Sequence, residues 1–113
     1  MPFISINTNI DVEAKKAKEF ISAVIDATSK ILGKPKSYIV VVLDDGLKMG
    51  VGSSDGTGAL ITARSVGFAG REKEFALKIS ELTAQYLGID ISTVNMALMD
   101  IPMSSVAVGG DVL

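Results

Sequence analysis

The chain has 113 residues, eleven basic and thirteen acidic, and contains neither cysteine nor histidine. Those two absences exclude disulfides, thiol catalysis, thiolate metal sites and the Ser–His and Cys–His nucleophile pairs. A formal charge of −2, with no basic run, argues against nucleic-acid binding. An apolar content of 48% and a mean hydropathy of +0.41 predict an oligomer, because so short a chain cannot hide that much apolar surface alone. One domain is expected at this length. With no signal-type leader and no apolar run of membrane-spanning length, the expectation is a cytoplasmic protein without a membrane partner.

Pro2 stands directly behind Met1, and Phe3 to Asn7 alternates apolar and polar side chains as a half-buried strand does. Removal of Met1, usual before a small residue, would leave Pro2 with a free secondary amine at the start of that strand. To act as a base it must be neutral at working pH, whereas an ordinary chain terminus titrates near ~8. Burial and a nearby cation both disfavour its protonated form, and a base tuned toward neutrality transfers protons best.

Asn9 or Asp11 is expected to cap a helix. Ala17, Phe20, Ile21, Val24, Thr28 and Ile31 recur at helical spacing, and Gly33 fits the left-handed position that ends the helix. Lys34, between Gly33 and Pro35, complements the helix dipole or, in a functional role, binds a carboxylate and depresses the Pro2 amine. The run Tyr38 to Leu43 is continuously apolar, which predicts a central strand covered on both faces, and Asp44-Asp45-Gly46 turns the chain. Gly50 to Gly58 invites a phosphate reading but lacks Gly-Lys-Ser/Thr, and a strand rather than a helix follows it. It is read as a structural loop.

The pattern then repeats. Ala59 to Val66 reads as a strand carrying Arg64, either a solvated residue or a second anion contact, and Gly67 to Gly70 as a turn. Glu72 to Leu87 is a helix with Phe75, Ile79, Leu82 and Tyr86 on one face; Gly88 ends it 55 positions after Gly33. Val94 to Met99 is a second buried strand. In the tail, Val106, Val108, Val112 and Leu113 surround Gly109-Gly110, and a short strand there is expected to pair with a neighbouring subunit. The fold class is therefore α/β (α+β): two β-α-β repeats, about 1–58 and 59–113. They form a four-stranded mixed sheet with two helices on one face and the other face uncovered.

Met1-Pro2-Phe3-Ile4, Asn7-Thr8-Asn9, Gly33-Lys34-Pro35 followed by Tyr38-Ile39, Gly52-Ser53-Ser54 and Ser65-Val66-Gly67 occur in order. In these motifs the chain resembles, end to end, the macrophage migration inhibitory factor (MIF) family of the tautomerase superfamily. The resemblance implies a homotrimer with active sites at subunit interfaces, no cofactor and no metal. It implies keto–enol conversion of phenylpyruvate-type aromatic α-keto acids, with Pro2 as catalytic base. Lys34 and the Val66 N–H would hold the substrate carboxylate, with Ser65, Tyr38, Asn95 and Val108 completing the substrate-binding set.

The chain departs from the vertebrate members of that family, which place tyrosine at Asn95, asparagine at Ala97 and aromatic residues at Val108 and Leu113. A less aromatic pocket mouth and an altered substrate preference follow. The family's Cys-x-x-Cys is absent from Gly58 to Ile61, so no thiol oxidoreductase activity is expected. Two other functions have weaker support. A leaderless, MIF-like cytokine lacks an evident receptor motif around Asp11, Glu13 and Asp45. Hydration, dehalogenation or decarboxylation of unsaturated acids lacks a well-placed second carboxylate.

Overall fold

The computed structural model describes residues 1–52 and 56–113. Ser53, Ser54 and Asp55, part of the expected Gly50–Gly58 loop, lie outside the described residues. Strand β1 (Phe3–Thr8) sets Ile4, Ile6 and Thr8 on the buried side. Helix α1 (Ala14–Leu32) lays Phe20, Val24, Thr28 and Ile31 onto it. Strand β2 (Val40–Asp44) follows a short turn at Lys36–Tyr38. Strand β3 (Ala59–Ser65), helix α2 (Glu72–Leu87) and strand β4 (Val94–Asp100) repeat the arrangement.

The sheet order is β2-β1-β3-β4, with β1 and β2 parallel, β3 and β4 parallel, and the central pair β1 and β3 antiparallel. Both helices cover one face. Phe20, Val24, Phe75 and Ile79 are completely buried there against Ile4, Ile6 and Ile61. Truncating Phe20 or Phe75 to alanine is expected to cost about 3–5 kcal/mol. Phe20 stacks on Tyr86 with ring centroids 5.3 Å apart, joining the two helices.

The run expected to form a central strand covered on both faces, and the second run expected to be buried, instead occupy the two edges. Val41 and Leu43 of β2, and Val94 and Met96 of β4, pack toward the helices. Their alternates do not: Val40 and Val42 are half exposed, as is Met99. Tyr38 belongs to the short turn rather than the strand. The register aligns Val40, Phe3, Arg64 and Met99 in one row across the uncovered face. Val42, Ser5, Thr62 and Ala97 form the next row, and Asp44, Asn7, Leu60 and Asn95 the last.

The expected cap of α1 is also corrected. The helix starts from Glu13 without a side-chain cap, and the Asp45 carboxylate takes the Val12 N–H at 2.7 Å. Asn9 is spent elsewhere. Its carboxamide oxygen accepts from the Gly58 N–H at 3.1 Å and its amide donates to the Met49 and Gly56 carbonyls, clamping β1 to the loop before β3. Both helix stops hold as read: Gly33 and Gly88 adopt φ +66°, a region that favours glycine.

The tail folds on itself as a hairpin, β5 (Ala107–Val108) with β6 (Asp111–Val112), through Gly109 and Gly110 at positive φ. It forms its own two-stranded sheet, separate from β1–β4. Among the described residues no helix is long and apolar enough to cross a membrane.

Candidate active site

Two elements converge at the start of β1. Pro2 is buried and its carbonyl accepts from the Val40 N–H at 3.1 Å, fastening the chain terminus to β2. The antiparallel ladder pairs Ile4 with Ala63 and Phe3 with Arg64. One further step sets Pro2 opposite Ser65, on the helix-covered side of the sheet. Arg64, one residue earlier on β3, leaves from the uncovered side. The structure therefore separates Arg64 from Pro2 by a sheet face, against the reading of Arg64 as a second anion contact beside it.

The second element is the end of α1. The left-handed turn at Gly33 directs Lys34 toward the end of β3, where its ammonium donates to the Val66 carbonyl at 2.6 Å. The Ser29 hydroxyl donates to the Lys34 carbonyl at 2.5 Å and holds the turn from behind. Arg71 Nη1 donates to the Ile31 carbonyl at 2.8 Å, satisfying one of the orphan acceptors at the helix end. Asp100, at the end of β4, accepts from the Gly67 N–H at 2.9 Å and fixes the segment after Val66. Val66 itself lies one residue past the end of β3.

The electrostatics follow from this geometry. Burial holds the terminal amine of Met1 below the ordinary range for a chain terminus, and the positive charge of Lys34 lowers it further. Both causes act at this end of the sheet, and both penalise a positive charge.

Of the residues anticipated for the site, Pro2, Lys34, Ser65 and Val66 are brought together within one chain. Tyr38 lies at the same end, exposed in the turn leading to Val40. Asn95 and Val108 are not brought there. Asn95 stands in the row of Leu60 and Asn7, four residues along β4 from Met99, or ~13 Å at the usual strand rise. It borders a cleft of about 350 Å³ with Met49, Gly50, Val51 and Leu60. Val108 is exposed in the terminal hairpin. Sequence reasoning missed Ser29, Arg71 and Asp100, whose contribution is to position the Lys34–Val66 pair. Only Asp100 had a readable signal, as a lone acid ending an apolar strand. Among the described residues no group of three or more acidic side chains has metal-ligand geometry.

Residues 1–113, the whole chain, match the family model for macrophage migration inhibitory factor (MIF). The chain belongs to the MIF family. That family lies within the tautomerase superfamily and includes tautomerases. A MIF homolog from Brugia malayi is 30% identical over 112 residues, covering 97% of this chain and 96% of the relative. A D-dopachrome decarboxylase-B from Xenopus laevis is 28% identical over 92 residues, with coverages of 79% and 77%. Among solved structures, MIF from Toxoplasma gondii superposes with a TM-score of 0.91 at 20% identity, covering 98% of this chain and 99% of that one. The MIF fold of this chain, two helices on a four-stranded mixed sheet, is thereby shared at low sequence identity.

Proposed function

We propose that this MIF-family chain is a keto–enol tautomerase of phenylpyruvate-type α-keto acids, with Pro2 as the general base and acid once Met1 is removed. The observation that carries this reading is the depressed amine at the chain terminus, caused by burial and by Lys34. Removing Met1 moves that amine one residue inward, onto the buried Pro2. The same two causes disfavour the charged form of a secondary amine there, and neutral is the form a base requires.

In the keto-to-enol direction the Pro2 nitrogen takes a proton from the carbon next to the keto group. The electron pair moves to the keto oxygen, and the Pro2 ammonium returns the proton to that oxygen. The reverse direction uses the same groups in the opposite order. Lys34 and the Val66 N–H receive the substrate carboxylate, which fixes the reacting carbon beside Pro2; orientation of this kind supplies much of the rate. Ser65 and Tyr38 border the same space.

Asn95 and Val108, remote from Pro2 in one chain, are assigned to a neighbouring copy in a homotrimer. The half-exposed apolar residues on the uncovered sheet face agree with such an assembly. Residues 1–113 are read as one domain made of two β-α-β repeats. Without an aromatic side chain at Asn95 or Val108, the pocket mouth grips an aromatic substrate less firmly. The proposed enzyme needs no cofactor and acts in the cytoplasm.

Intact mass of the purified protein and turnover of phenylenolpyruvate test the proposal together. A mass lacking one methionine, with activity lost by at least ~10²-fold in Pro2→Gly, is expected. A processed protein in which Pro2→Gly retains the full rate rules the mechanism out.

A further inference from the structure

Ser65 is completely buried, and its hydroxyl has no hydrogen-bond partner. Such a group is uncommon, because burying an unpaired hydroxyl is unfavourable. Its backbone is fully employed in the fold: the Ser65 carbonyl accepts from the Ile101 N–H at 2.9 Å, and Ser65 pairs with Asp100 across the parallel ladder. Only the side chain is unaccounted for.

The ladder shows what lies opposite it. Continuing the β1–β3 register by one step places Ser65 across from Pro2, with both side chains on the helix-covered side. Because the Pro2 carbonyl is turned toward β2, where it meets Val40, this step has the character of a non-hydrogen-bonded pair. Side chains approach most closely at such positions. While Met1 is attached, the Pro2 nitrogen is a tertiary amide. It has no hydrogen to donate and no basic lone pair, so it offers the Ser65 hydroxyl nothing. Loss of Met1 creates an N–H at that nitrogen.

We propose that Ser65 is a positioning residue whose hydroxyl accepts the N–H that Pro2 acquires when Met1 is removed, directing the remaining lone pair toward substrate. This rests on the reading of Pro2 as the base and adds a partner for it. A neutral secondary amine has one hydrogen and one lone pair. Anchoring the hydrogen to Ser65 fixes the direction in which the lone pair can receive a proton. When the amine is protonated, the same oxygen accepts from a cationic donor, a stronger bond, so Ser65 raises the amine's proton affinity while Lys34 lowers it.

The other charged or titratable groups at this end are already placed. Lys34 is bonded to Val66, Lys36 is paired with Asp26 at 2.7 Å, and Asp100 is bonded to Gly67. Tyr38 is exposed in the turn, and Arg64 leaves from the opposite sheet face.

The test is a cycle of two forms and one substitution. One form is the processed protein; the other keeps Met1 behind an added N-terminal residue. Ser65→Ala is nearly isosteric and removes only the hydroxyl. In the form that keeps Met1 it relieves an unpaired buried group and is expected to raise the melting temperature by roughly 4–8 °C. In the processed form it removes a made hydrogen bond, and the gain is expected to vanish or reverse. In the processed form Ser65→Ala also shifts the acid limb of kcat/KM to lower pH and lowers the plateau about tenfold. Equal melting shifts in the two forms, or an acid limb that does not move, overturn the role assigned to Ser65. The melting comparison needs no turnover, so its result separates failure of this inference from failure of the tautomerase reading.

Discussion

The two β-α-β halves of the molecule share a plan and differ in chemistry. Each runs strand, helix, left-handed glycine, short turn and parallel strand, and Gly33 and Gly88 even adopt the same φ of +66°. The residue after the glycine is Lys34 in the first half and Ile89 in the second. Lys34 reaches across to the Val66 carbonyl, whereas Ile89 packs against the core. The first strand of the first half also begins at the chain terminus, while that of the second half follows the loop clamped by Asn9. The architecture is thus duplicated, but the terminal amine and the Lys34 charge that acts on it both belong to the first half. The fold supplies a frame on which two residues make one end a candidate site.

Exchanging those two residues breaks the comparison most sharply. Lys34→Ile, which gives the first half the side chain of the second, is expected to lower kcat/KM by about 10²-fold through loss of a charged donor to the carboxylate. It also removes one of the two causes that hold the terminal amine low. The base then needs a higher pH to become neutral, so the acid limb of the rate profile should move upward. A profile that keeps its midpoint would mean that Lys34 does not act on the amine. Ile89→Lys, the reverse exchange, should create no second activity and should destabilise the core it leaves.

Substitution of the paired glycines separates shape from chemistry. Gly33→Ala and Gly88→Ala meet no atoms within 4 Å, so their cost is the strain of positive φ alone. That is about 1–2 kcal/mol each. Equal losses of stability by denaturant titration are expected, with loss of turnover only for Gly33→Ala, which misdirects Lys34. Equal losses of turnover would place the effect of Gly33 in general stability.

The smallest effect is on stability against pH. An amine whose affinity for protons is lowered by folding leaves the unfolded chain with more protons bound as pH rises toward the ordinary value near ~8. Stability should therefore rise modestly with pH from the depressed folded value to the unfolded one and flatten above it. Lys34→Ile should blunt that rise, while Ile89→Lys should leave it unchanged. A slope of the opposite sign would contradict the burial of the terminus.

Much of the frame was readable because its signals are local. Phe75, Ile79 and the glycines at 33 and 88 announce helix faces and stops within a few residues, and α2 begins and ends where its periodicity says. The misplaced strands show what local signals omit. A run such as Val40 to Leu43 is apolar on both sides whether it lies in the middle of a sheet or at an edge whose outer face is left to another surface. Asn9 has the identity of a helix cap, but its partners are 40–49 residues away, where only the folded chain brings them. Pro2 and Lys34 were singled out by their chemistry. Ser65 opposite Pro2, and Ser29 and Asp100 behind Lys34 and Val66, depend on register and could not be read from spacing.

The bond from Lys34 to Val66 has a further consequence. An unanchored lysine samples many rotamers in solution and must give up that freedom when it takes hold of a ligand. Here the restriction is imposed during folding, because one ammonium hydrogen is already committed to a backbone carbonyl while two remain. On the proposed tautomerase reading, an arriving carboxylate meets a donor that has finished its search. Recognition at this end of the sheet should change the positions of the protein atoms little, with its unfavourable contribution coming chiefly from the hydration that the anion and the cation give up.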